Sequence, residues 1–542
     1  MARQASIRPL LRQAFLLGLM MMAVGLTLSP FLMSLAQFWL CLVWITDGIV
    51  GHDFKEKWRR FVHNRAAVVL VGLYLMHALG LLYTSDFTYA LKDLRVKLPL
   101  LVLPFILTGM PRLEQKRFDR LMLVYVCAVF VATWVSFSAY VRHEYNDVRE
   151  ISRIISHIRF CLNIVFSIAV IGYYLHRQTK QRRQGVLAFG SKFVLDRCIQ
   201  CLLVVWFTYQ IYIFESLSGY VILVAVVGLS AVYAFLRWCP ARHWRIAASM
   251  VTAGAVVIAG ILLVRRTKPL FEVEPVDFNR LEKTTALGNP YWHDTVYHPV
   301  EDGRYVGLYY CEKELRSSWA RRSAMPFDGE TANHESLEAT LARYLTSKGL
   351  RKDEQGVMAL TEEDIHNIEQ GVANYNNWRH PGLRARLSVT VFELNRYRRL
   401  NDPNGGSLSQ RVEFTRASFH LIRQHPWLGV GTGDVPQAFS RAYDEIGSPL
   451  NDAFRFRAHN QYLAIAVAFG CAGLALFLFA MLYPWFASRQ NRHYLYMVFL
   501  CVMLLSMFPE DTLETQAGAS LFAFFSALLL FGRPMPTDDG TN

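Results

Sequence analysis

The 542-residue chain is 53% hydrophobic and only 18% charged, with a mean hydropathy of +0.20. Soluble proteins carry about 25% charged residues, so a soluble globular body of this length is excluded. A net charge of +14 admits nucleic acid or a lipid surface as a partner, and the placement of the charges decides between them.

The basic N-terminus (Arg3, Arg8, Arg12) runs into a long apolar stretch without a small-residue cleavage site, so it reads as a first span and not as a cleaved signal. Apolar runs near 20 residues match a hydrocarbon core about 30 Å thick, where each backbone group must be bonded within its own helix. Spans are expected at about 12–28, 31–48, 66–83, 98–110, 121–140, 158–175, 198–214, 217–236, 246–264, 460–483, 494–508 and 517–532. The fourth is short and broken by Pro99 and Pro104. With the N-terminus inside, the inner tails and short loops hold 24 Lys and Arg, against 6 in the short outer segments. The positive-inside rule then puts both termini in the cytoplasm. That asymmetry accounts for most of the basic excess, and no nucleic-acid partner is called for.

The expected architecture is an all-α polytopic membrane protein with about twelve transmembrane helices. Spans one to nine fill 1–264, a large outer loop domain fills 265–459, and the last three spans with a cytoplasmic tail fill 460–542. Residues 265–378 carry 14 basic and 19 acidic residues, whereas 379–458 carry 12 and 7. The basic half adjoins the return to the membrane, where fixed positive charge suits an anionic head group; a solvated basic face is the plainer reading.

The loop looks mostly helical. Glu335 to Ser347 has helical spacing and ends at Gly349, Thr361 with Asp364 forms a capping-box pattern, and Leu383 to Leu400 is amphipathic. The turn cluster Asn401 to Gly406 precedes a further helix over roughly 408–424, while 270–330 show no clear period. Of nine cysteines only Cys311 lies in this domain, so it has no internal disulfide. Cys198 and Cys201 form a CxxC, but no second pair or histidine cluster accompanies them, which argues against a zinc or redox site.

From Arg411 the chain reads RVEFTRASFHLIRQHPWLGVGTGDVPQAF, and after a gap RFRAHNQYLAIAVAFGCAGL. A basic amphipathic helix ends at His425-Pro426, and Gly429, Gly431 and Gly433 follow. No strand precedes these glycines, so they are read as turn-formers and not as a dinucleotide loop. Ala458-His459-Asn460-Gln461-Tyr462 then places an imidazole at the mouth of the tenth span, flanked by Arg455 and Arg457. Taken alone, His459 would read as an interfacial structural residue and Arg411 as a surface arginine opposed to the helix dipole.

The order of these motifs resembles the O-antigen ligase and polymerase superfamily of bacterial envelope glycosyltransferases. The matching residues are Arg411 opening a helix, then Pro426, Gly429 and Gly431, then His459, Asn460 and Leu463 entering the next span. The twelve-span layout, FPEDTLETQAG (Phe508 to Gly518) and TSDFTYALKDLRVKLPLLVLP (Thr84 to Pro104) are also similar.

The resemblance implies transfer of a glycan from undecaprenyl diphosphate on the periplasmic face of the inner membrane, with no nucleotide sugar, metal or other cofactor. The acceptor is lipid A–core in ligases, another carrier-linked repeat in polymerases, and protein in related ligases. A transporter of lipid-linked sugars and a receptor using the outer domain are further readings. In the implied chemistry His459 accepts the hydroxyl proton and Arg411 holds the diphosphate. Arg416, Arg455 and Arg457 are further diphosphate contacts, and Asn460, Gly429 and Gly431 line the substrate. One departure stands out. Such ligases carry a Ser-Arg-Gly segment at a central hairpin, where this chain reads Glu215-Ser216-Leu217-Ser218-Gly219-Tyr220. Arg159 at the mouth of the sixth span is the candidate substitute, against a snorkelling role. Glu510 and Asp511 are expected either to close the outer cavity, to pair with an arginine, or to lie in a solvated loop.

Overall fold

The computed structural model describes residues 2–142, 151–152, 155–183, 191–238, 254, 265, 268, 271–487 and 493–534. Of the described residues, 72% are helical. It divides into two compact units: Met1–Ala248 with Phe414–Ile446 and Phe456–Asn542, and Ser249–Glu413 with Gly447–Arg455. Residues 414–446 and 456–459, part of the large loop in sequence terms, thus group with the apolar helices.

The helices run in chain order as α1 (Ala2–Leu28), α2 (Pro30–Gly51), α3 (Phe54–His63), α4 (Arg65–Leu79), α5 (Phe87–Lys97), α6 (Pro99–Gly109), α7 (Gln115–Val141), α8 (His157–Arg183), α9 (Ser191–Ile213) and α10 (Leu217–Trp238). The second unit contributes α11 (Glu312–Trp319), α12 (Leu337–Ser347), α13 (Glu354–Met358), α14 (Glu362–Glu369), α15 (Tyr375–Arg379) and α16 (Leu383–Leu400). Helix α17 (Ser407–Gln424) belongs to both units, and α18 (Val435–Glu445), α19 (Gln461–Ala487), α20 (Tyr494–Ser506) and α21 (Gln516–Ala527) complete the first.

Among the described residues, seven helices are long and apolar enough to cross a membrane: α1, α2, α4 with its following turn, α7, α8, α10 and α19. Helices α20 and α21 are apolar but shorter. The expected fourth span is the 11-residue α6, about 16 Å long and too short to cross a hydrocarbon core unaided. Helix α9 is not among the seven. The expected ninth span, 246–264, lies outside the described residues except for Gly254.

Local chemistry sets the boundaries in the first unit. Ser29 caps α2 through Leu32 N with Pro30 at the first turn, and Asn64 and Asp86 cap α4 and α5. Helix α3 turns Lys57 inward, where it pairs with Asp47 at 2.7 Å and donates to the Trp44 carbonyl at 3.0 Å. Its other side leaves Trp58 and Val62 exposed.

Helix α19 is interrupted at Gly470, whose φ of 64° breaks the helical ladder. The carbonyls freed by the break are taken by the segment around Pro426 to Gly431. Val430 N donates to the Val467 carbonyl at 3.0 Å and Gly431 N to that of Ala468 at 2.9 Å; Cys471 N donates to the Pro426 carbonyl at 2.8 Å. A Cβ on Gly429 would lie 2.3 Å from the Ala468 carbonyl carbon, and one on Gly470 would lie 2.3 Å from that of Trp427. Two backbones meet here with no room for side chains.

The second unit has its own core, with Leu315, Trp319, Leu337, Leu341, Tyr344, Leu345, Val357 and Ile368 all fully buried. Thr361 and Asp364 form a reciprocal capping box on α14, and Ser336 caps α12. The stretch without periodicity holds a short antiparallel hairpin, β1 (Val300–Glu301) with β2 (Arg304–Tyr305), and α11. Cys311 is buried and free.

The Gly470 break gives a direct test. Gly470→Ala combines a left-handed backbone with a backbone clash and should cost about 2–5 kcal/mol. Gly72→Ala, at a helical position with nothing within 4 Å, should leave stability unchanged. Thermal unfolding of the two purified variants in the same detergent checks the contrast.

Candidate active site

The start of α19 is stitched to the loop between α20 and α21. Asn460 Nδ2 donates to the Phe508 carbonyl at 2.9 Å, while its Oδ1 caps the helix through Leu463 N at 3.0 Å. Gln461 Nε2 donates to Glu514 Oε1 at 3.0 Å, and Gln461 Oε1 accepts from Leu513 N at 2.7 Å. The side chains of Asn460 and Gln461 therefore hold the loop that carries Glu510, Asp511 and Glu514.

His459, just before the helix, has a φ of 44°. A left-handed conformation costs a residue with a side chain about 1–3 kcal/mol and persists only where its surroundings enforce it. The ring is one-third exposed. Nδ1 lies 3.9 Å from Asp511 Oδ1 and 4.0 Å from Glu510 Oε2. Phe414 flanks it at 5.4 Å between ring centroids and Phe456 at 6.0 Å. Each carboxylate also faces an arginine. Arg457 Nη2 is 3.1 Å from Asp511 Oδ2, and Arg159 Nη2 is 3.8 Å from Glu510 Oε2. The structure thus brings Arg159, Arg457 and His459 together around one pair of acids, with Asn460 at the base.

Behind this cluster lies a second set of charges. Arg457 Nη1 is 3.4 Å from Glu514 Oε2 and donates to the Tyr89 hydroxyl at 3.2 Å. Burial alone would weaken proton binding by the Arg457 guanidinium, but Glu514 and Asp511 reverse this and strengthen it. Glu514 Oε2 also accepts from Lys97 Nζ at 2.7 Å, and Lys97 pairs with Asp93, which meets His77 Nδ1 at 3.1 Å. The Lys97 side chain is wholly buried. Between His77, Tyr89, Asp93, Arg457 and Glu514 remains a cavity of about 20 Å³. A water needs 10–15 Å³ or more by this measure, so a sugar cannot enter it.

The glycine segment is latched to the residues before α5. Thr432 Oγ1 donates to the His77 carbonyl at 2.7 Å, Gly433 N to Thr84 Oγ1 at 2.9 Å, and Tyr83 OH to the Leu428 carbonyl at 2.8 Å. Asp434 accepts from Ser85 N at 2.9 Å and Asp86 N at 2.8 Å. Burial would raise the Asp434 carboxyl, but these donors hold it below the usual range. Gly429 and Gly431 therefore contact backbone of α19 and the start of this latch. Arg416 is exposed on α17 in the first unit, while Arg411, half-buried, and Arg455 belong to the second. Arg455 Nε donates to the Leu450 carbonyl at 3.1 Å and its guanidinium faces Asp452 at 3.3 Å.

His459, Glu510 and Asp511 offer three metal-type ligand atoms within 4.8 Å of one another. Arg159 and Arg457 lie beside the same two acids. Sequence reasoning missed His77, Tyr89, Asp93, Lys97, Gln461 and Glu514. The available signal was Asp93 and Lys97 at i, i+4 on a short helix that runs directly into an apolar one.

Residues 382–478 match the family model described as O-antigen ligase. No curated protein matches the chain.

Lys97→Met would strand two buried carboxylates and should cost about 3–5 kcal/mol. Arg8→Gln breaks a half-exposed pair with Asp53 and should cost no more than about 1 kcal/mol. Melting temperatures of the purified variants check the difference.

Proposed function

We propose that the chain moves a glycan from undecaprenyl diphosphate to a sugar hydroxyl of a lipid A–core acceptor, a reading supported by the match of residues 382–478 to the O-antigen ligase family model. The coarser statement, a membrane glycosyltransferase-type enzyme acting on lipid-linked glycans, is what the match and the apolar helices carry together. The proposal adds a twelve-span topology in the inner membrane, cytoplasmic termini and a periplasmic 265–459 loop.

The observation that supports it best is the position of His459, two residues before an apolar helix, with two acids and two arginines around it. In the proposed reaction an imidazole nitrogen of His459 takes the proton of the acceptor hydroxyl. That oxygen attacks the anomeric carbon, and the bond to the diphosphate breaks with its electron pair going to the phosphate oxygen. Asp511 and Glu510, about 4 Å from the ring, favour the imidazolium that forms. Arg457 is held by Asp511, Glu514 and Tyr89, so its charge is committed to the framework. Neutralising the departing diphosphate falls first to Arg411, as the resemblance implies, with Arg416, Arg455 and Arg159 as further contacts.

Purified protein in detergent, given lipid-linked glycan and core acceptor without nucleotide or added metal, should transfer the glycan. His459→Ala should lower the rate about 10²–10⁴-fold, the range of general base catalysis. Arg411→Ala should also slow it severely, and Arg411→Lys should recover only part, because the bidentate fork is lost. Full activity in both alanine variants would overturn these roles. A deletion strain separates the acceptors: glycan accumulating on the carrier marks a ligase, while single repeats on core mark a polymerase.

A further inference from the structure

At the far end of α19 from His459, the first unit opens a cavity of about 860 Å³ that the reaction above does not use. Its walls have two chemistries. Arg60, His63, Arg65 and Arg112 supply the polar side, and Tyr483, Phe486 and Phe531 the apolar side. Among the described residues, no carboxylate lines it. Arg60 is engaged by Glu56 at 3.2 Å, but neither Arg65 nor Arg112 has a carboxylate partner among the described residues.

Two features select a lipid over a free anion. The aromatic wall stands at the end of a membrane-length helix, with Phe486 69% exposed, where an acyl chain would run. Helix α3, which brings Arg60 and His63, is short and amphipathic, with Trp58 57% exposed and Lys57 anchored inward. Such a helix lies in the head-group layer. Basic pockets between membrane helices on the side that the positive-inside count assigns to the cytoplasm suit phosphate head groups.

We propose that this cavity binds the phosphate head group of an anionic phospholipid, with its acyl chains along Tyr483 and Phe486. Two helical segments of α19, joined at the Gly470 break, separate Gln461 from Phe486, so the site is separate from His459 and both can be filled at once.

The test is native mass spectrometry of the full chain exchanged into detergent with equimolar phosphatidylglycerol and phosphatidylcholine. Wild type should retain phosphatidylglycerol at least about tenfold over phosphatidylcholine, as roughly one factor of five per basic residue predicts. Arg65→Gln with Arg112→Gln should abolish that preference, while Arg65→Lys with Arg112→Lys should keep most of it. Equal retention of both lipids by wild type would overturn the proposal, as would an undiminished preference in the glutamine variant. Displacement of the lipid by millimolar inorganic phosphate alone would also overturn it, in favour of a free-anion site. Should the glutamine variant fail to fold, the wild-type preference and its loss in high salt still decide. None of these readouts depends on glycan transfer.

Discussion

Lys97 carries a full charge with none of its side chain exposed, and that constraint organises the first unit. An ammonium out of water is tolerable only when anions and hydrogen bonds replace its hydration. Asp93 supplies one partner from the preceding turn of α5, and Glu514 supplies the other from the loop before α21. Glu514 is in turn tied to Gln461 and Arg457, so the demand of one buried lysine fixes the start of α19. His459 sits two residues before that start, on a backbone conformation it would not choose unaided.

The charges around His459 divide into two groups. Lys97, Asp93, Glu514 and Arg457 neutralise one another and hold elements in place. Asp511 faces the imidazole with one oxygen and Arg457 with the other, while Glu510 Oε2 lies between the imidazole and Arg159. An acid already paired with a guanidinium still favours an imidazolium beside it, but less than a lone acid would.

The glycine-rich segment shows how a motif can be visible and its reason hidden. Pro426, Gly429 and Gly431 stand out in the sequence, and turn formation was the natural reading. In the structure Val430 N and Gly431 N donate to the carbonyls left open where α19 breaks at Gly470, the Pro426 carbonyl accepts from Cys471 N, and Thr432 to Asp434 latch onto Thr84, Ser85 and Asp86. The TSD and TGD motifs, some 350 residues apart in sequence, form one backbone-satisfying joint. A helix interrupted inside an apolar bundle must have its freed groups bonded by protein, and this segment meets that need.

Hydrophobic length and the placement of Lys and Arg are one-dimensional quantities, so the sequence alone determined that this is a helical membrane protein with a large polar insertion. Helix caps at Thr361 and the amphipathic run from Leu383 to Leu400 were legible for the same reason, since their causes lie within one turn. The order of Arg411, the glycines and His459 carried the resemblance to the O-antigen ligase superfamily. Tertiary structure decided what depends on meetings across the chain: that Arg159 and Arg457 share one acidic pair with His459, and that Lys97 and Glu514 stand behind them. It also decided that α6 is too short to cross by itself, because its prolines and length fit packing against α4 and α21 better than a lipid-facing span. Charge pairs are chosen by distance in space, and nothing in residue spacing encodes that distance between segments hundreds of residues apart.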